Sequence, residues 1–270
     1  LSAKDIETYH TIDSIGRARH FDRIFNNMET LITGYLPGKF FNLDIRSIID
    51  YNTYEGWRLG LGGITSKNLS PFFNIGGHFA YGFRDKAWKY GVTLGFQFGS
   101  GKDIYLRISY LDDLEEAGGL SFLEKKAFFA SESFRDYMVE NMDLVQKKQV
   151  EFGWKMLKYL SINLFVRKSV NTPSNSYTYS ITFDNPRLMI NRFDFTEAGI
   201  MTRFAYKEGF METPAGNRFS LGTKSPVLHL NIIKGFEWLD GGFDFIRFET
   251  MLSKVLTSRR IGDSRIRIAA

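Results

Sequence analysis

His10, His20, His78 and His229 are the four histidines of this 270-residue chain, which has no cysteine. The missing thiols exclude a disulfide framework and a thiolate metal site. No two histidines lie at ligand spacing, so no zinc centre is expected, and no other metal or cofactor is called for. Hydrolysis would need a Ser–His pair with an orienting amide or carboxylate. His78 and His229 have no serine two residues away and read as side chains on the polar faces of two strands. The acidic run Asp112–Glu116 could hold Ca²⁺ in a loop. Its spacing is not that of an EF-hand, and a solvated acidic loop is the plainer reading. The glycines of 60–63 are followed by no helix, so they form no nucleotide loop; small residues inside a crowded sheet explain them better.

What must position these residues is a set of strands. Between residues 73 and 98 every second side chain is large and apolar: Phe79, Tyr81, Trp88, Tyr90, Leu94 and Phe96 among them. The alternate positions are small or polar, with His78, Lys89 and Gln97 among them and Arg84 in the same phase. Similar alternation predicts strands over 41–51, 56–65, 103–111, 144–156, 160–168, 177–183, 192–206, 227–236 and 243–254, and a last one from 264. Trp57 belongs to the apolar set, and Arg46, Arg58 and Arg107 to the polar one. Phe193 and Phe195 lead one face of 192–206 while Ile200, Phe204 and Tyr206 take the other, which predicts a bulge at 196–199. A segment at 121–142 reads as a short amphipathic helix in a long loop.

Two solvents are consistent with one greasy and one polar face. A soluble sandwich or small barrel would bury the greasy face. A membrane barrel would turn it to lipid. Aromatics near strand ends, a polar and glycine-rich opposite face, and strands of about 9–11 residues or more favour the barrel. The expected architecture is an all-β, antiparallel up-and-down transmembrane barrel of about twelve or more strands. In this reading Trp57, Phe79, Tyr81, Trp88, Tyr90, Leu94 and Phe96 face lipid, while Arg46, Arg58, His78, Arg84, Lys89, Gln97 and Arg107 line the lumen. Residues 1–40 form a periplasmic lead-in and 41–270 the barrel. Short connections at 99–101, 158–159 and 240–242 are expected at the periplasmic end, and long ones at 112–142, 169–176 and 207–225 outside. The net charge is +5, with Lys and Arg scattered among Asp and Glu, so nucleic acid is not an expected partner.

The block 51–98 resembles a Bacteroidota-type outer-membrane family. The resemblance is carried by N-x-x-EG-x-R-x-G at Asn52–Gly60, GG-x-x-AYG-x-x-D at Gly76–Asp85 and KYG at Lys89–Gly91. Members carry a carboxypeptidase-regulatory-like domain ahead of a C-terminal β-barrel. The resemblance implies location in the bacterial outer membrane and a barrel. It implies no activity, so no functional residue is carried over from it. The absence of the regulatory-like domain, and of a terminal aromatic after Ala270, leads us to expect a longer parent protein.

The function expected from these readings is a non-enzymatic scaffold or accessory barrel that contacts membrane lipid and other outer-membrane proteins. A pore for small anionic solutes and a phospholipase-like outer-membrane hydrolase are the alternatives.

Overall fold

In the computed structural model the alternation becomes a single antiparallel sheet of thirteen strands. The structure describes residues 30, 33–98, 104–118, 141–174, 179–181, 188–212, 218–258 and 262–270. The strands are β1 (Tyr35–Leu36), β2 (Phe41–Asp44), β3 (Ile49–Asn52), β4 (Gly56–Thr65), β5 (Phe73–Gly82), β6 (Trp88–Phe98), β7 (Ile104–Glu116), β8 (Met142–Leu157) and β9 (Leu160–Pro173). They continue with β10 (Tyr179–Ile181), β11 (Leu188–Ile190), β12 (Phe193–Ala205), β13 (Gly209–Glu212), β14 (Arg218–Gly222), β15 (Val227–Phe236), β16 (Phe245–Ser258) and β17 (Gly262–Ala269). The main sheet runs β1-β2-β4-β5-β6-β7-β8-β9-β12-β15-β16-β17, with β3 also paired to β4. Among the described residues no pairing joins β17 back to the first strands.

Each strand carries its apolar residues on one face because side chains alternate across a pleat. Register keeps that face continuous from strand to strand: Leu61 pairs with Phe79, Phe79 with Tyr90, Leu94 with Ile108 and Ile108 with Val150. These side chains are exposed. The opposite face holds the buried polar groups.

Several expectations need correction. The strand predicted over 41–51 is interrupted by a 3₁₀ turn, Ile45–Ser47, whose Asp44 carboxylate accepts from the Arg46 backbone N–H. This turn folds over the polar face: a Cβ at Gly62 would lie 2.8 Å from Ser47 Oγ, and one at Gly60 2.7 Å from Ser47 O. The turn and β5 together crowd these positions, since a Cβ at Gly60 would also lie 2.6 Å from Phe79 O and 2.7 Å from Ala80 Cβ. The acidic run Asp112–Glu116 is not a loop but the second half of β7. No bulge interrupts β12, which keeps an unbroken register with β9 and β15. Phe193 and Phe195 instead turn to the polar-side face and stack with Phe243, with ring centroids 6.1 and 5.3 Å apart.

The strand predicted over 177–183 does not join the wall. Its described part, β10, pairs only with β11, in a separate two-stranded sheet. β9 therefore pairs directly with β12, and every later connection changes ends. The strand ends at 52 and 56, 82 and 88, 116 and 142, 173 and 193, and 236 and 245 lie at one end of the sheet, which we call A. Those at 65 and 73, 98 and 104, 157 and 160, 205 and 227, and 258 and 262 lie at the other, B. The turn at 240–242 thus shares end A with the strand ends that flank 117–141, contrary to the expected grouping. Contacts agree with this: Lys168 pairs with Asp240 at end A, and Lys155 sits over Phe210 at end B. The expected helix at 121–142 falls almost wholly outside the described residues, as do His10 and His20.

Candidate functional site

The three motif segments converge on one buried ion cluster at end A of the polar face. Asn52 opens it. Its side-chain oxygen accepts from the N–H groups of Tyr54 and Glu55 at 3.0 and 2.7 Å, and its amide donates to Glu55 Oε2 at 2.6 Å. The turn this creates needs Gly56 at φ +68. It delivers Glu55, fully buried, to the ammonium of Lys89 at 2.5 Å. Lys89 is itself fully buried and also pairs with Asp85. A Cβ at Gly82 would lie 2.9 Å from Lys89 Nζ and 3.0 Å from Glu55 Oε1, so the glycine of the AYG segment makes room for the ions.

Arg58 links this pair to β7. Its guanidinium is 3.4 Å from Glu55 and forks onto Asp113 at 2.5 and 2.7 Å. His78 Nε2 meets the same Asp113 carboxylate at 2.9 Å. Adjacent strands lie about 4.8 Å apart, so a flat sheet would hold β4 and β7 roughly 14 Å apart. The Arg58–Asp113 contact therefore requires the sheet to curl around its polar face. Three carboxylates face one ammonium, one guanidinium and one imidazole, and pairing of this kind is what makes burial of ions tolerable.

A second charged array continues round the same face. Arg107 lies 3.4 Å from Glu151, which also accepts from Tyr105 Oη at 2.6 Å. Arg167 pairs with Glu197, and Arg247 lies 3.9 Å from Glu197 and 3.1 Å from Glu249. The glutamates are buried, whereas the side chains of Arg107 and Arg247 keep 48% and 41% of their surface exposed.

Of the polar positions read from the sequence, Arg58, His78 and Lys89 enter the cluster. Arg46 sits in the 3₁₀ turn, paired with Asp44 at 2.9 Å and over the ring of Tyr35. Arg107 joins the second array. Gln97 lines a cavity at end B. Arg84 lies beyond β5, exposed, and donates to Thr53 O at 2.9 Å, which ties two neighbouring turns of end A. The apolar positions Trp57, Phe79, Trp88, Tyr90, Leu94 and Phe96 are all exposed. Tyr81 is half-buried in an edge-to-face and tilted ring cluster with Phe83 and Trp88. Sequence reasoning missed Asp113 because it lay in a run taken for a loop. It passed over Asn52, Glu55 and Asp85 as members of a motif; the signal available was three polar residues held at fixed spacing beside glycines.

Chemically the cluster is a set of ion pairs. Every carboxylate in it faces a cation, and among the described residues no serine donates to His78 and no group of His, Asp or Glu is arranged to hold a metal ion. Its geometry suits bracing of the curled sheet.

A search of curated proteins finds no match to this chain. A family model does match, over residues 38–270, a span that takes in β2 to β17 and the whole ion cluster. The chain accordingly belongs to the family described as a family of unknown function (DUF5686), of which it carries the C-terminal domain.

Proposed function

We propose that this domain is a transmembrane β-barrel of the bacterial outer membrane, serving as a non-enzymatic scaffold or accessory component of a membrane complex. The observation that carries the reading is an inverted distribution of polarity. Among the described residues 44 large hydrophobic side chains are exposed, whereas only seven hydrophobic residues are buried, beside eleven buried polar or charged ones. In water such a surface far exceeds the apolar patches of soluble monomers. In a bilayer the same face meets hydrocarbon, and the paired ions meet one another. Lipid tolerates no open sheet edge, so in this reading β17 closes against the free edges of the first strands. Ring pairs such as Tyr51–Trp57 and Tyr81–Trp88 at end A suit an interfacial aromatic girdle.

What covers the polar face supports the scaffold role ahead of a pore. The 3₁₀ turn lies over Gly60 and Gly62, Gly34 packs against Arg46, and the lumen-side charges pair across strands. The resemblance of the motif segments to barrels with a periplasmic regulatory-like domain supports an anchoring task, with residues 1–40 leading in from the periplasm. The half-open arginines of the second array favour the second reading, an anion-selective pore.

Two measurements test the proposal. The protein should require detergent; a monodisperse monomer without it would sink the membrane reading. In planar bilayers it should be silent, and stable conductance in the range of general porins would replace the scaffold by the pore.

A further inference from the structure

The turn between β15 and β16, at end A, is strained and greasy at once. Leu239 and Asp240 both sit in the left-handed region, at φ 56 and 61, which residues with a Cβ disfavour. Trp238 and Leu239 are 63% and 60% exposed. Backbone and side-chain contacts hold this conformation. Gly241 N donates to Trp238 O at 3.2 Å, and Gly242 N to Asp194 O at 2.8 Å. Thr196 Oγ1 donates to Leu239 O at 3.3 Å, and Lys168 Nζ meets the Asp240 carboxylate at 2.8 Å. A Cβ at Gly241 would lie 1.9 Å from Phe236 O, so the turn needs glycine there.

Register shows which way the turn leans. Lys168 pairs with Thr196, and Thr196 with Phe236, in one row across β9, β12 and β15. Side chains alternate along a strand, so this row shares the apolar face with Val166, Ile200 and Ile232, all exposed. The contacts to Thr196 and Lys168 therefore place the turn over the apolar face of β12, reaching toward β9. Thr196 and Lys168 are the polar members of the row, and the turn engages both; Thr196 is left 4% exposed. Trp238 meets Phe236 edge to face, with ring centroids 6.3 Å apart, so the apolar face runs on into the turn. Lys234, in the same phase, lies over the Phe236 ring at 5.9 Å and pairs with Asp244. Indole, aromatic ring and lysine stem together suit a water–hydrocarbon boundary, where each can keep its apolar body in lipid and its polar tip in water. A tip made to meet a protein beyond the end of the sheet would project along the strands, whereas this one bends back onto the apolar side. We propose that the 238–242 turn is an interfacial anchor: it covers Thr196 and Lys168 and seats Trp238 and Leu239 in the headgroup layer of the bilayer at end A. The inference rests on the membrane reading above and adds to it a fixed depth for the rim of β12 and β15.

The test uses the full chain reconstituted in dioleoyl phosphatidylcholine vesicles. Each version keeps one of the tryptophans Trp57, Trp88, Trp154 and Trp238 and carries phenylalanine at the other three. Emission is quenched with phosphatidylcholines brominated either near the glycerol or near the chain ends. Trp238 should lose emission, and lose more to the shallow bromines than to the deep ones. Trp57 and Trp154, exposed on the apolar face at ends A and B, report the bilayer independently. If neither of them is quenched, the membrane reading fails and takes the anchor with it. If they are quenched and Trp238 is not, the membrane reading stands and the anchor is overturned. Stronger quenching of Trp238 by the deep bromines would also overturn an interfacial seat. In the Trp238-only protein, Gly241→Ala forces the turn away from Phe236 O, and Thr196→Val removes the tether to Leu239 O. Each should weaken the shallow quenching and move the Trp238 emission to the red, with circular dichroism identical to wild type. Thr196→Val keeps the test decisive if Gly241→Ala fails to fold. Quenching unchanged in the variants that fold would show that the folded-back turn does not seat Trp238, and would overturn the proposal.

Discussion

Arg58 and Asp113, 55 residues apart, meet in a two-pronged ion pair at 2.5 and 2.7 Å across the two strands that separate them in the sheet. The contact ties β4 to β7 and so fixes the curl of the N-terminal half. Asp113→Ala should leave a guanidinium without its principal counterion on the buried face and cost about 3–5 kcal/mol. Arg58→Met together with Asp113→Leu should recover much of that loss, because a matched apolar pair leaves no orphan charge. Urea unfolding of the four species gives the cycle. Additive losses in the double variant would show that the two side chains are not coupled.

The two faces of β6 should respond differently to the same charge. Leu94 is exposed on the apolar face and Thr93 lies on the other. If the proposed barrel spans a bilayer, Leu94→Arg should cost about 2–4 kcal/mol, and Thr93→Arg much less. Equal costs at the two sites, measured as unfolding free energies in lipid vesicles, would refute the facing.

Removal of β10 and β11 from the wall changes which connections share a side. With native cysteine absent, single cysteines at Lys86 and Asp240 report end A, and those at Lys158 and Lys207 report end B. On whole cells an impermeant thiol reagent should label the first two and spare the second two, if end B is periplasmic. The grouping is the sharper test: Asp240 and Lys158 behaving alike would contradict the strand order.

Glu208 follows β12 and binds Arg203 by two contacts of 2.7 and 2.6 Å, with Ser220 of β14 on the same carboxylate. Burial works to raise its pKa, but the hydrogen bonds from Arg203 and Ser220 outweigh it and hold the carboxyl below the ordinary glutamate range. A depressed carboxylate stabilises the fold above its unfolded-state pKa and loses that contribution as pH falls through the folded value. The β13–β14 hairpin should therefore stay protease-resistant at neutral pH and become sensitive as the medium is made acid enough to protonate Glu208. Glu208→Gln should be sensitive already at neutral pH. A variant as resistant as wild type at every pH would mean that the hairpin is held by other contacts.

The amino-acid sequence alone determined the two faces. Alternation is a local property of an extended chain, so Phe79, Leu94 and Val150 declare one side and His78, Lys89 and Glu151 the other without any knowledge of neighbours. The glycines at 60 and 62 were legible as places where something comes close. What comes close was not: the 3₁₀ turn over Gly60 and Gly62 follows from chain segments meeting in space, as does the Glu55–Lys89 pair beside Gly82, a glycine the sequence reading left without a role. Only the tertiary structure decided that Asp113 belongs to a strand and to Arg58, that Phe193 and Phe195 pack against Phe243 on the polar face without a bulge, and that β10 leaves the main sheet. Strand membership, register and curl depend on pairing between distant segments, and a period of two carries no record of which segments pair.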